Sequence, residues 1–131
     1  MLSDLEVKHY NYDQLTSKLK SLVNNHSDLL SLYQLSEPSV QNRSLWVVKI
    51  ATENQRPDLK PMVKYIANMH GNEAVGRSLM VAFIEHLVVS YKNGSDQDIK
   101  KLVSETDIHV LPSMNPDGFE VSNEGTVSKN L

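Results

Sequence analysis

A long, almost wholly apolar segment lies between two short apolar runs, and this pattern constrains the fold more than any other feature. The segment from Ala74 to Tyr91 is interrupted at seven-residue spacing by Ser78, Glu85 and Lys92, which predicts a helix with one thin polar stripe. The Asn93-Gly94 pair that follows is typical of a helix end. A helix this apolar must be covered by a sheet and by neighbouring elements.

The two short runs predict buried strands over Met62–Met69 and Ile108–Pro112. They are connected through the apolar helix and a second predicted helix over Asp96–Glu105, so they should run parallel by a right-handed crossover. Their carboxyl ends then meet at one rim of the sheet. In open α/β sheets this rim is where ligands bind.

The first half of the chain predicts further elements of the same sheet. Helical spacing of apolar residues indicates a helix over Asn11–Val23. Strands over Leu29–Leu35 and Leu45–Ala51 form an antiparallel hairpin, and the two prolines of Pro57–Pro61 indicate a loop. The predicted fold class is α/β, with a mixed, mostly parallel sheet flanked by helices.

Composition excludes several classes of function. The chain has 131 residues, the size of one domain, with a formal net charge of -3 and no cysteine. There is no basic stripe to neutralise phosphates, so we expect no nucleic-acid partner. Disulfides, cysteine-ligated metals and thiol nucleophiles are also excluded. No apolar run approaches the length of a membrane span, so we expect no membrane contact within this segment.

Three N-x-Ser sequons, at Asn25, Asn42 and Asn93, favour a parent protein of the secretory pathway. The first residues lack the apolar core of a signal peptide. If the parent is secreted, we expect its signal upstream of Met1.

The first polar cluster at the predicted rim is His70-Gly71-Asn72-Glu73. An imidazole nitrogen and a carboxylate oxygen both suit Zn²⁺, and ligands three residues apart can point the same way. Gly71 would let the backbone turn sharply between strand and helix. The alternative is structural, with His70 an ordinary rim histidine and Glu73 a residue that favours the helix dipole.

The second cluster is Asn115-Pro116-Asp117-Gly118, which is ordinary turn chemistry. Asp117 has an alternative role, since a carboxylate can orient a metal-bound histidine. Two other histidines are poor ligand candidates, because His86 falls within the predicted helix and His109 within the predicted strand.

Together these segments resemble the zinc metallocarboxypeptidases, and more narrowly the branch of carboxypeptidases D, E, N and M. The resemblance lies in Asn68-Met69-His70-Gly71-Asn72-Glu73-Ala74-Val75-Gly76-Arg77 and in Leu111-Pro112-Ser113-Met114-Asn115-Pro116-Asp117-Gly118-Phe119-Glu120. It implies Zn²⁺ as cofactor, with His70 and Glu73 as its first two ligands. It also implies that Asp117 orients His70 or supports the rim, and that Arg77 supports the site rather than binding substrate.

The resemblance further implies an extracellular or secretory enzyme that acts on peptides or proteins with a free C-terminus, removing Lys or Arg. The family's third zinc ligand, general base and carboxylate-binding residues lie downstream of its second motif and have no counterpart here. We therefore predict that residues 1–131 are the amino-terminal part of a catalytic domain, inactive and marginally folded alone, with apolar surface exposed along Ile108–Met114. Two alternatives are a non-catalytic binding module on the same fold and a domain whose rim residues are only turn and cap chemistry.

Overall fold

The computed structural model describes residues 7–52, 59–94 and 96–122. Helices and strands follow one another along these ranges in the predicted order, with one further helix after the last strand. The elements are α1 (Tyr12–Asn25), β1 (Leu30–Gln34), β2 (Trp46–Ile50), β3 (Met62–Ile66), α2 (Ala74–Asn93), α3 (Gln97–Glu105), β4 (Asp107–Leu111) and α4 (Pro116–Val121).

The strands form one mixed sheet in the order β1-β2-β4-β3. β1 and β2 pair antiparallel, which confirms the hairpin, and β3 pairs parallel with β4, which confirms the crossover. β2 pairs antiparallel with β4. Among the described strands, then, only β3 and β4 pair in parallel, so the prediction of a mostly parallel sheet was wrong; β2 runs opposite to both of its neighbours. The predicted α/β class with a mixed sheet is confirmed.

The core lies between one face of the sheet and the helices. Strand alternation places Leu30, Val48 and Ile108 on this face, where they pack against residues of α1 and α2. Helix ends follow from local chemistry: Asn11 and Gln14 form a capping box at the start of α1, and Gly94 closes α2 with φ of 64°.

Helix α4 corrects the interpretation of Asn115–Gly118 as a simple turn. The Asn115 side chain accepts a hydrogen bond from the backbone N–H of Gly118, and Pro116 occupies the first turn of the helix. The same residue types that favour turns also favour helix N-termini, and here the chain continues as helix.

Burial of β3 was predicted wrongly. All five of its residues are exposed, with Met62 at 68% and Ile66 at 54%. β3 is the edge strand of the described sheet and no described strand covers its outer side, whereas β4 lies between β2 and β3. The apolar surface expected along Ile108–Met114 is therefore at β3 instead, because both edges of β4 are paired.

Helix α2 is more apolar than the sequence analysis allowed. By length and composition, its 20 residues would be long and apolar enough to cross a membrane. A core helix of a globular protein passes the same test. Val81, Ile84, Leu87 and Val88 are buried in the core here, so the fold already accounts for the apolar character of one side of α2.

Candidate metal centre

The carboxyl ends of β3 and β4 meet at one rim, as predicted. Backbone pairing continues past the strand ends, from Ala67 N–H to the Leu111 carbonyl and from Met114 N–H to the Ala67 carbonyl. Asn115 N–H then donates to the carbonyl of Asn68. These bonds bring the first motif directly beside the second.

His70 and Glu73 converge at this rim. The His70 Nδ1 atom lies 3.0 Å from Oε1 of Glu73, and the His70 backbone N–H donates to Oε2 at 3.0 Å. Both side chains are about half exposed, at 50% and 51%. Hydrogen bonds from the backbone and the ring of His70 hold the pKa of Glu73 below its usual value. The carboxylate is therefore ionised at neutral pH, which is the form that binds metals.

The pair fits zinc as part of a centre. Two donors about 2.1 Å from one tetrahedral ion are about 3.4 Å apart, close to the separation seen here. The described residues contain no group of three or more His, Cys, Asp or Glu side chains that could hold a metal. His70 and Glu73 thus provide two donors, and a catalytic site with three protein ligands would need one more from outside the described part of the chain.

The loop that carries His70 is shaped by a buried asparagine. Asn68 has φ of 55°, a left-handed conformation that asparagine tolerates better than most residues. Its Nδ2 atom donates to the carbonyl of His70 at 2.8 Å and, more weakly, to that of Gly71 at 3.4 Å. The sharp turn that we attributed to Gly71 therefore depends on Asn68.

Gly71 has a different role, which is close packing. A Cβ atom at this position would collide with the backbone carbonyl of Gly118 in α4. The backbone of the loop between β3 and α2, residues 67–73, which we call the ligand loop, thus lies directly against the N-terminal turn of α4. Only glycine permits that approach.

Arg77 lies beneath the loop and is only 1% exposed. Its Nη1 donates to the Ser113 hydroxyl at 2.8 Å and reaches Asn68 Oδ1 at 3.5 Å, while Nη2 donates to the Tyr10 carbonyl at 3.1 Å. The guanidinium carbon is 3.7 Å from the ring centroid of Phe119. Burial lowers the pKa of Arg77 to about 10, so the group remains a cation at neutral pH.

Asp117 bonds to a different loop. Its carboxylate accepts from the Ser39 hydroxyl, the backbone N–H of Gln41 and, at 2.6 Å, from Arg43. Burial raises the pKa of Asp117, but these hydrogen bonds outweigh burial and lower it. All of these hydrogen bonds go to residues 39–43, so they attach the rim to that loop. The role of Asp117 in orienting a metal-bound His70 stays a prediction.

The two other candidate histidines lie away from the pair. His86 is within α2, with Nδ1 3.4 Å from the Ser90 hydroxyl. His109 lies in β4, with Nδ1 2.9 Å from the Tyr33 hydroxyl, and burial lowers its pKa.

Sequence reasoning assigned no role to Asn68 or Ser113 and left Arg77 outside the metal site. A signal for Arg77 was available, since it is a lone cation in the first turns of an otherwise apolar helix, and such a charge must either face solvent or be compensated inside. Asn68 and Ser113 carry no comparable signal, because their buried contacts depend on tertiary structure.

Comparison of the sequence with known proteins identifies the family of this chain and several relatives. Residues 15–130 match the zinc carboxypeptidase family. The chain is 41% identical to carboxypeptidase D of Drosophila melanogaster over 95% of its own length and 9% of that protein. It is 39% identical to carboxypeptidase M of Mus musculus, with coverage of 92% and 27%. The chain therefore spans about a quarter of carboxypeptidase M and less than a tenth of carboxypeptidase D.

Solved structures show the same fold. The crystal structure of thrombin activatable fibrinolysis inhibitor superimposes with a TM-score of 0.78 at 18% identity, covering 86% of this chain and 27% of that one. Carboxypeptidase A from Helicoverpa armigera gives a TM-score of 0.75 at 25% identity, covering 92% and 28%.

Proposed function

Because this chain belongs to the zinc carboxypeptidase family, we propose that His70 and Glu73 supply two zinc ligands to a centre that releases residues from the C-termini of peptides and proteins. The observation that most directly supports this proposal is the convergence of the two side chains, at 3.0 Å, on the exposed rim of the sheet.

The chemistry of the two residues suits this role. Zn²⁺, when bound, would supply Lewis-acid activation of a peptide carbonyl and of a water molecule. His70 offers a ring nitrogen, and Glu73 offers a carboxylate whose pKa is lowered by its hydrogen bonds to His70. The half-exposed rim leaves a peptide free to approach from solvent.

The proposed substrates are peptides and proteins with a free C-terminal Lys or Arg. The resemblance to carboxypeptidases D, E, N and M implies this preference, and the relatives named D and M support the branch. In the whole protein containing this chain, hydrolysis of peptides ending in Arg, Lys, Leu or Glu would test it. Glu73→Gln should abolish turnover, and His86→Ala, a histidine inside α2, is the matched control.

We propose that the 131-residue chain alone does not hydrolyse peptides. A catalytic zinc site needs three protein ligands, and a general base must assist water attack. The described residues bring only two donors together. Steady hydrolysis by the purified chain, lost in His70→Ala, would contradict this.

Zinc binding by the purified chain is the decisive experiment. We expect weak one-to-one binding, followed by NMR of the histidine side chains. His70→Ala and Glu73→Gln should abolish it, while His86→Ala and His109→Ala should leave it unchanged. Tight binding lost in His109→Ala would instead identify a third ligand within the chain.

A chain that binds no zinc at His70, even within the whole protein, would favour the alternative of a non-catalytic binding module on the same fold.

We further propose a secretory location for the parent protein. The sequon residues Asn25, Asn42 and Asn93 are all exposed and so accessible to modification. A glycosidase-sensitive mass shift after expression through the secretory pathway, absent in Asn-to-Gln variants, tests it.

A further inference from the structure

We propose that Arg77 is a positioning residue for the metal ligands and acts through the side-chain amide of Asn68. The inference rests on the proposed function, since it concerns the same centre. Arg77 touches neither ligand side chain. Its effect is on the backbone of the loop that carries His70.

The contacts of Arg77 fix the orientation of the Asn68 side-chain amide. Arginine can only donate hydrogen bonds, so the Asn68 atom that faces Arg77 must be the acceptor Oδ1. Ser113 strengthens this choice, because its hydroxyl accepts from Arg77 at 2.8 Å and donates to Oδ1 at 2.7 Å. The donor Nδ2 is consequently directed to the opposite side.

The oriented amide of Asn68 in turn binds the backbone of the ligand loop. Nδ2 donates to the His70 carbonyl at 2.8 Å and to the Gly71 carbonyl at 3.4 Å. These bonds fix the peptide groups on both sides of Gly71. The side chains of His70 and Glu73 then leave the backbone in directions that bring them within 3.0 Å.

The guanidinium of Arg77 is in an unusual environment for a cation. Arg77 is almost fully buried, its Nε has no hydrogen-bond partner, and among the described residues the carboxylate that acts on it is Glu120, whose charge attracts the guanidinium without a direct ion pair. An exposed residue or a simple apolar side chain would avoid this desolvation. Phe119 offers its ring face to the guanidinium, and the polar contacts that remain are those that orient Asn68 and the Tyr10 carbonyl. The arrangement costs stability and yields a fixed loop.

Substitutions at Asn68 and Arg77 separate positioning from stability. Asn68→Asp retains an acceptor and adds an ion-pair partner for Arg77, which offsets the stability lost with the Nδ2 hydrogen bonds, so the free energy of unfolding should fall only slightly. It removes the donor and places a carboxylate oxygen against the His70 carbonyl, so Zn²⁺ affinity should fall. Arg77→Met, which is similar in length but uncharged, should also weaken binding. A 10- to 100-fold loss is typical when a group that supports a metal ligand is removed, so about 10-fold or more is expected.

The experiment titrates Zn²⁺ into the full chain, with urea unfolding measured in parallel. Lys18→Met is the control, because it breaks the remote ion pair between Lys18 on α1 and Glu85 on α2 and should leave Zn²⁺ affinity unchanged. If His70→Ala abolishes binding but Asn68→Asp and Arg77→Met bind like the unmodified chain, the positioning role is overturned and the proposed function stands.

A metal-free measurement decides the positioning role even if zinc does not use His70. The His70 amide donates to Glu73 Oε2, and its hydrogen exchange should accelerate at least 10-fold in Asn68→Asp and Arg77→Met. Unchanged exchange in both variants would overturn the positioning role. Accelerated exchange together with zinc binding that ignores His70 would overturn only the proposed metal centre.

Discussion

Strand β3 and the loop that continues it reverse the usual relation between polarity and burial. The strand residues Met62–Ile66 are mostly apolar and all exposed. Two residues later the polar Asn68 is almost fully buried, and Arg77 beneath it is more deeply buried still. Burial here depends on which neighbours are present: β3 has one described strand beside it, whereas Asn68 contacts Arg77 of α2 and the segment that follows β4.

The loop is the more sensitive of the two regions, and Gly71→Ala should show this most strongly. The new methyl group would collide with the backbone of α4 at Gly118, which cannot give way as a flexible side chain would. We expect a loss of about 3 kcal/mol in unfolding free energy, measured with urea. Gly76→Ala is the control, since its Cβ would meet only Ala67 Cβ at 3.4 Å and alanine favours helix. Equal losses in both variants would contradict the contrast.

Two matched valine substitutions, one in β4 and one in β3, test how burial within the sheet affects stability. Val110 in β4 is fully buried, and Val63 in the adjacent β3 is partly exposed. Val110→Ala removes two methyl groups at about 0.8 kcal/mol each and leaves a cavity, so a loss of about 2 kcal/mol is expected. Val63→Ala should cost less than about 1 kcal/mol. Similar values from thermal or urea unfolding would show that β3 is covered in solution.

Asp117→Asn tests the second contact of the rim. The pKa of Asp117 is lowered in the folded chain by its bonds to residues 39–43. A lowered folded-state pKa means that the stabilisation is complete above the unfolded-state pKa of about 3.9 and is lost as pH falls through the lower folded-state value. Asp117→Asn should therefore cost about 1 kcal/mol at pH 7. The difference from the unmodified chain should close as pH falls through the lowered folded-state pKa of Asp117, and a difference that stays constant with pH would contradict this origin.

The exposed strand should show its effect in self-association rather than stability. Ile66→Lys should change unfolding free energy by no more than about 0.5 kcal/mol, as for most surface substitutions. An added charge on an exposed apolar edge opposes pairing with another chain. Sedimentation at rising concentration should show less association than in the unmodified chain. Val40→Lys, at a fully exposed position outside the sheet, is the matched control and should have no effect.

Much of the fold was predictable because local patterns determine it. The 3.6-residue spacing in α1, the stop at Gly94 and the crossover between β3 and β4 all follow from short stretches of sequence. The exposure of β3 was not predictable in the same way, because an apolar run does not show whether another strand pairs with its second edge.

In the candidate site, too, some features were predictable from the sequence and others were not. The sequence alone identified His70 and Glu73 as a pair and placed them at the rim, and their ligand roles stay predictions. It could not predict that Asn68 takes the left-handed conformation or that Ser113 lies against it. Those features depend on contacts between distant segments, and a single sequence contains no direct signal of such contacts.

The contact between Ser113 and Asn68 spans 45 residues of sequence. Such a distant contact forms only after the intervening chain has folded, whereas the β1–β2 hairpin needs little more than its own turn. The ligand loop can therefore reach its final shape only once β4 and α4 have been made and docked. During synthesis, the chain would emerge with its two metal-binding side chains still unaligned, and the centre would mature later than the sheet that carries it.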